Sequence, residues 1–193
     1  MKKSLGAKTI LYPTPVLIVG TYDSEGRPNV MAVAWGGICC SKPPCVAISV
    51  RKATYTYGNL LERKAFTVSI PSEEHVVAAD FFGLASGRDV DKFAAAGLTP
   101  IRSELVDAPY VAEFPLVLEC RVVQVAELGL HVHFVGEILD VKADEECLDA
   151  DGRPTAEGVK PFWWAPSENQ YYGLGPALGR GFSLGKDLKS RST

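Results

Sequence analysis

Residues 16–35 read VLIVGTYDSEGRPNVMAVAW. Val16 to Tyr22 is an apolar run. Asp23-Ser24-Glu25-Gly26-Arg27-Pro28 is a polar break carrying Gly and Pro. Asn29 to Trp35 is apolar again. An apolar strand, a break rich in turn residues and an apolar return predict a β-hairpin. Downstream, Lys42-Pro43-Pro44 stops the chain, and Val46, Ile48 and Val50 then alternate with Cys45, Ala47 and Ser49. Phe66, Val68 and Ile70 alternate with Ala65, Thr67 and Ser69 in the same way. Both stretches have the period of two that strands require. Pro115 to Val125 and His131 to Lys142 are longer β-rich runs joined around Gly129.

Helices fill the gaps. Tyr57, Leu60, Leu61 and Lys64 have helical spacing, and the Lys64 stem can extend over the apolar stripe. Pro71-Ser72-Glu73-Glu74 predicts a helix start with Ser72 as cap. Val77, Phe81 and Leu84 then give its apolar stripe. Asp89 is expected to cap a short helix that holds Phe93 and ends at Gly97. Phe162, Trp163, Trp164, Tyr171 and Tyr172 crowd five aromatics into eleven residues before a Gly-rich tail. Strands come in hairpin-like pairs with helices inserted, so the expected class is mostly β, an antiparallel barrel with peripheral helices. No repeat or rich linker divides the chain. Residues 1–193 are read as one domain, with 155–193 an aromatic and Gly-rich extension packed on it.

The chain has 193 residues, 47% hydrophobic and 22% charged, with net charge −3. Disorder needs lower hydrophobicity and higher net charge. A nucleic-acid partner calls for a basic excess that is absent here. The longest apolar run, Val30 to Cys40, is too short to cross a bilayer, so no membrane role is expected. Lys8, Pro13 and Pro15 interrupt any signal-peptide core after Lys2 and Lys3, which points to the cytoplasm. Cysteines 39, 40, 45, 120 and 147 have no C-x-x-C spacing, and reduced thiols are the simpler reading.

Several motifs carry little. Gly173-Leu174-Gly175-Pro176-Ala177-Leu178-Gly179 is one residue too long for a dinucleotide fingerprint and lacks a βαβ unit. Asp149-Ala150-Asp151-Gly152 is a turn rather than a calcium loop. His131 and His133 share a strand face but have no further ligands in sequence, so no metal is expected. The charge distribution is more informative. Arg51, Lys52, Arg63 and Lys64 against Glu62 give residues 51–64 a net +3, with hydroxyls at Thr54, Tyr55, Thr56 and Tyr57. Cations, hydroxyls and free amides where a strand enters a helix suit a phosphate; a solvated helix end is the alternative. Residues 137–151 carry a net −6, which is either a solvated edge or a docking face for a basic protein.

Pro13-Thr14-Pro15, the Asp23 turn, Asn29-Val30-Met31 and the run through Trp35 to Pro44 follow one another in a familiar order. Val46 to Val50, Thr54/Thr56, Asp91-Lys92-Phe93 and Gly129 to Glu137 continue it. Over roughly residues 10–145 the chain resembles the flavin reductase-like, FMN-binding split-barrel family. Its Tyr171 to Lys186 tail is similar to that of the flavoredoxin branch. The resemblance implies a Greek-key-like split barrel, a homodimer, and FMN near the subunit interface. It implies that Asn29, Val30, Met31, Ala32 and Trp35 line the isoalloxazine ring, with Cys39 and Cys40 beside it. It implies that Ser49, Val50, Arg51, Lys52, Thr54 and Thr56 hold the ribityl chain and phosphate, with Lys92 near the phosphate. Relatives often carry Gly-Asp-His near the nicotinamide. Here the run is Gly129-Leu130-His131, so only His131 remains as a nicotinamide-side residue.

A flavin carrier needs no catalytic side chain, because the cofactor performs the redox step. The expected function is therefore an FMN electron carrier between a protein donor, such as a basic multihaem cytochrome, and a terminal reductase. The alternatives are an NAD(P)H:flavin oxidoreductase and a non-redox binding module.

Overall fold

The computed structural model describes residues 1–186 and 188. The end of the expected extension, residues 187 and 189–193, lies outside the described residues. In chain order the elements are β1 (Thr14–Pro15), β2 (Leu17–Tyr22), β3 (Pro28–Val33), β4 (Gly36–Ser41), β5 (Pro44–Arg51) and α1 (Tyr55–Arg63). Then come β6 (Ala65–Ile70), a 3-10 turn at Glu73–His75, α2 (Val76–Leu84), α3 (Lys92–Ala96), β7 (Pro100–Arg102) and β8 (Pro109–Val111). The long hairpin β9 (Leu116–Leu128) and β10 (His131–Ala143) follows. A second 3-10 turn, α4 (Ala156–Val159), β11 (Trp163–Ala165) and β12 (Gln170–Tyr172) close the list.

The main sheet is antiparallel, in the order β3-β2-β6-β9-β10-β5-β4. It curls around one core drawn from β2, β3, β5, β6, β9 and β10: Leu17, Val19, Val33, Val46, Ile48, Val50, Phe66, Val68, Cys120, Val132 and Phe134. Leu60 of α1 is fully buried in the same core, so α1 plugs the barrel. The edges β3 and β4 do not pair with each other, which leaves the barrel split between them. A second core lies outside, where Ile18 and Val30 meet Ala79 and Phe82 of α2, Phe93 of α3, Val111 and Phe114. Mostly antiparallel β structure with peripheral helices is the class expected from the sequence.

The structure corrects several local expectations. The apolar return strand stops at Val33, not Trp35, and β4 starts at Gly36 on the opposite edge of the sheet. Gly36 permits that crossing, because a Cβ there would lie 2.7 Å from Leu17 Cδ1 and 2.9 Å from the Ala47 carbonyl oxygen. The stripe on α2 is also different. Val77 and Leu84 are each 79% exposed, while Ala79 and Phe82 are buried. Apart from Asp80 and Gly83, α2 is apolar all round, so periodicity cannot select its buried face. Ser72 does not cap a backbone amide; its hydroxyl meets Glu74 and His75 side chains at 3.0 Å each. The cap of α3 is Asp91, whose carboxylate accepts from the Ala94 amide at 3.1 Å, two residues beyond the expected Asp89. Lys64 does not continue the α1 stripe but ends the helix in the left-handed region at φ 54°.

Two strands of the aromatic extension form a small sheet with β1, in the order β1-β11-β12. Trp163 stacks on Tyr172 at 5.0 Å, and Tyr12 meets the edge of Trp163 at 5.9 Å. No described helix is long and apolar enough to cross a membrane.

Candidate flavin and anion site

The Asp23 turn anchors the site. Asp23 is buried, and its carboxylate accepts from the Glu25 and Arg27 amides at 2.9 Å and from Arg27 Nε at 2.8 Å. The Tyr55 hydroxyl donates to it at 2.6 Å. Burial opposes ionisation of Asp23, but these hydrogen bonds together outweigh it and hold its carboxyl at about 2. Tyr55 is the first residue of α1, so the β2–β3 turn fixes where that helix begins.

The start of α1 carries unfilled capacity. Thr54 stands at the cap in extended conformation, yet its side chain makes no capping bond. Its hydroxyl donates instead to the Arg51 carbonyl at 2.8 Å. The first-turn amides of α1 therefore keep the partial positive charge of an uncapped helix start. Beneath them Asn29 Nδ2 donates to the Thr56 hydroxyl at 3.1 Å, and both residues are buried. Asn29 Oδ1 is buried without a hydrogen-bond partner. An orphaned buried carbonyl is costly unless a ligand or water supplies a donor.

A cavity of about 200 Å³ opens here, lined by Asn29, Met31, Ala53 to Thr56, Phe82, Gly83, Ala85 to Arg88 and Lys92. A neighbouring depression of about 320 Å³ shares Asn29, Tyr55, Gly87 and Arg88. Gly87 is what brings the far wall close. A Cβ there would lie 2.1 Å from Asn29 Oδ1 and 2.7 Å from Tyr55 Cδ1. Arg88 lies over the Tyr55 ring at 5.5 Å and donates to the Ala53 carbonyl at 3.1 Å. Lys92 is 4% exposed, and Nζ donates to the carbonyls of Val30 at 2.8 Å and Phe82 at 2.9 Å. An ammonium has three donors, so one is left for a ligand. Burial without an acidic partner lowers Lys92 to about 8.

The residues singled out from sequence do not all meet at this cavity. Asn29, Met31, Thr54, Thr56 and Lys92 line it. Val30 and Val50 point into the two cores, and Ala32 packs beside the outer one. Trp35 lines a different cavity, of about 840 Å³, with Ala7 to Ile10, Trp164, Pro166 and Ser167, and meets the edge of Trp164 at 6.3 Å. Ser49 hydrogen-bonds His133 Nδ1 at 2.8 Å, and its amide donates to the Trp35 carbonyl at 2.8 Å. Arg51 is exposed and lies across the strand from His131. Lys52 pairs with Glu127 at 2.8 Å. Arg63 reaches back to the Asp23 carbonyl and to Asp107 at 3.0 Å. Cys39 and Cys40 are exposed on β4 and line none of these cavities. The cations at the cavity thus include Arg88, which the sequence reading did not single out; the Ser86-Gly87-Arg88 turn after an apolar helix was its only signal. His131 and His133 alternate with buried Val132 and Phe134, so they do share a face. Among the described residues no group of three His, Cys, Asp or Glu side chains could hold a metal.

The comparisons with known proteins bear on this arrangement. Residues 9–162 match the family model described as flavin reductase like domain. The chain belongs to that family. It is 55% identical to the flavoredoxin of Desulfovibrio vulgaris (Miyazaki F), with 96% of this chain and 100% of that one covered and a TM-score of 0.92. A flavoredoxin from Methanosarcina acetivorans is 32% identical, with 97% and 100% covered and a TM-score of 0.91. An uncharacterised protein of Archaeoglobus fulgidus is 31% identical over 75% of this chain and 79% of its own length. These neighbours share the split barrel expected from the sequence, with flavoredoxin the nearest expected branch.

Proposed function

We propose that this chain is a flavoprotein that binds FMN and carries electrons between protein partners, as a flavoredoxin does. The observation that carries the reading is the buried, unpartnered Asn29 Oδ1 beside the uncapped start of α1. It sits in a chain 55% identical to a flavoredoxin over nearly its whole length. The residues present fit such a group. The first-turn amides of α1, the Thr54 and Thr56 hydroxyls, Arg88 and the third Lys92 donor suit a phosphate. Asn29 and Met31, which line the cavity, are assigned to the ring side, with Asn29 Oδ1 free to accept an N–H. When bound, FMN supplies the one- and two-electron chemistry. The chain binds and orients it, and the absence of a side chain at Gly87 leaves room around Asn29 Oδ1.

A flavin reductase reading in which NAD(P)H donates directly is the second possibility. The observation favouring it is His131 placed opposite Arg51, an imidazole and a guanidinium at one end of the β5–β10 pair. We assign a homodimer to the β9–β10 hairpin, where Val123, Val125, Leu128 and Leu130 are exposed. The acidic stretch 137–151 is a smaller docking face than its net charge suggests. Glu137 pairs with Arg121 at 2.7 Å, Asp140 with Lys142 at 3.0 Å and Asp151 with Arg153 at 3.3 Å, and Asp149 accepts from the Asp151 and Arg153 amides, which leaves Asp144, Glu145 and Glu146 for a basic redox partner. The test is titration of flavin-free protein with FMN and with riboflavin. The reading expects FMN to bind at least tenfold more tightly, since a phosphate contact to charged groups is worth ~1.5–3 kcal/mol. Equal affinities would remove the phosphate site.

A further inference from the structure

Four of the five cysteines lie in one region of the barrel, away from the α1 cavity. In the β4–β5 hairpin, Cys40 and Cys45 are direct cross-strand partners, two positions from the Lys42-Pro43 turn. Directly opposed residues in an antiparallel pair have Cα atoms about 4.5–5.5 Å apart and side chains on one face. A disulfide needs Cα atoms about 4.4–6.8 Å apart, so the register already meets that requirement. The register shifts between Ile38 and Cys40, leaving Cys39 as the extra residue of a bulge.

The thiols differ in access. Cys39 and Cys40 are exposed, while Cys45 is 5% exposed and Cys120 is fully buried. Burial raises the Cys45 thiol, and Cys40, Cys39 and Glu137 beside it raise it further. Burial pushes Cys120 up to about 12, which makes it a core residue rather than a nucleophile. Cys45 Sγ rests on the Pro43 carbonyl at 3.5 Å, so the thiol is held on the turn side of its strand.

We propose that Cys40 and Cys45 form a dithiol exchange site whose substrates are low-molecular-weight disulfides. The exposed Cys40 thiolate attacks one sulfur of the small disulfide. The S–S bond breaks, and the first small thiol leaves with the proton that Cys40 gave up. Cys45 then loses its proton and attacks Cys40 Sγ in the mixed disulfide. The second small thiol leaves, and a Cys40–Cys45 disulfide remains. The two protein thiols are oxidised by two electrons, and one small disulfide is reduced to two thiols. Cys39 is the nearby thiol that does not resolve, because its extra position in the bulge leaves it without a partner across the hairpin.

The test uses the full chain, reduced and desalted under argon, with oxidised glutathione as the probe. Remaining thiols are alkylated, and the cysteine peptides are mapped by mass spectrometry. The expected wild-type product is a peptide pair joined through Cys40 and Cys45, with Cys120 still a free thiol. Cys45→Ser should stop at a stable glutathione adduct on Cys40. Cys40→Ser should give neither the disulfide nor an adduct on Cys45, and this variant replaces an exposed side chain if Cys45→Ser fails to fold. A persistent wild-type adduct on Cys40 with Cys45 free, a Cys39–Cys45 link, a link between chains, or full alkylation of all five cysteines would each overturn the proposal.

Discussion

Lys92 gives the sharpest prediction. It is nearly buried with two backbone carbonyls and no carboxylate, and that environment lowers it to about 8. An unfolded lysine sits near 10.4. With a lowered folded value, the unfolded chain holds more protons between those limits, so folding stability rises with pH across about 8 to 10. Binding has the opposite sign. A phosphate beside Lys92 favours its charged form, so binding takes up a proton once the free protein has begun to lose it. At pH 9 a group titrating at about 8 is ~90% neutral, so FMN affinity should fall by about tenfold between pH 7 and pH 9. The phosphate itself does not change over that interval, because its second ionisation lies near 6. The assay is quenching of flavin fluorescence on titration at several pH values, repeated with riboflavin, whose affinity should stay flat. Lys92→Met should abolish the FMN slope, with thermal melting as the check that it folds. An FMN affinity independent of pH in the wild type, or an unchanged slope in Lys92→Met, would refute the placement of the phosphate.

Other outcomes follow from neighbouring geometry. Gly87→Ala should fold but lose FMN binding by equilibrium dialysis, because its Cβ would collide with Asn29 Oδ1 at 2.1 Å. Asp23 contributes stability that is present above its unfolded value and lost as pH falls through about 4 to 2. Asp23→Asn should therefore flatten the acid limb of a urea-midpoint-against-pH curve over that interval and lower the midpoint at neutral pH. Val125→Arg with Leu130→Asp should convert a dimer to a monomer in sedimentation analysis; an unchanged dimer would move the interface elsewhere.

The barrel was legible because its strands alternate. In β5 and β6 the inward residues Val46, Ile48, Val50, Phe66 and Val68 are the ones the period of two selects. The face of α2 was not legible, because Val77 and Leu84 are as apolar as Phe82 and only the packing against β3 decides among them. The start of α1 as an anion site was readable in part. The +3 charge of residues 51–64 was local in sequence, but Lys52 and Arg63 are taken up by Glu127, Asp107 and the Asp23 carbonyl. The positive charge that reaches the cavity includes Arg88 and Lys92, which lie outside that segment and are brought to it by the fold. The family resemblance groups Trp35 with Asn29, but β3 ends at Val33 and the chain bends at Ala34-Trp35, so the two residues line different cavities.

The proposed function requires that bound FMN exchange electrons with protein partners. The direct measurement is anaerobic visible spectroscopy of the purified protein. The account predicts a yellow chain that releases FMN on denaturation, keeps its oxidised spectrum with NADH or NADPH, and is reduced by a small basic redox protein at a rate that falls with salt. A colourless protein that takes up no FMN, or rapid bleaching by NADH, would contradict it.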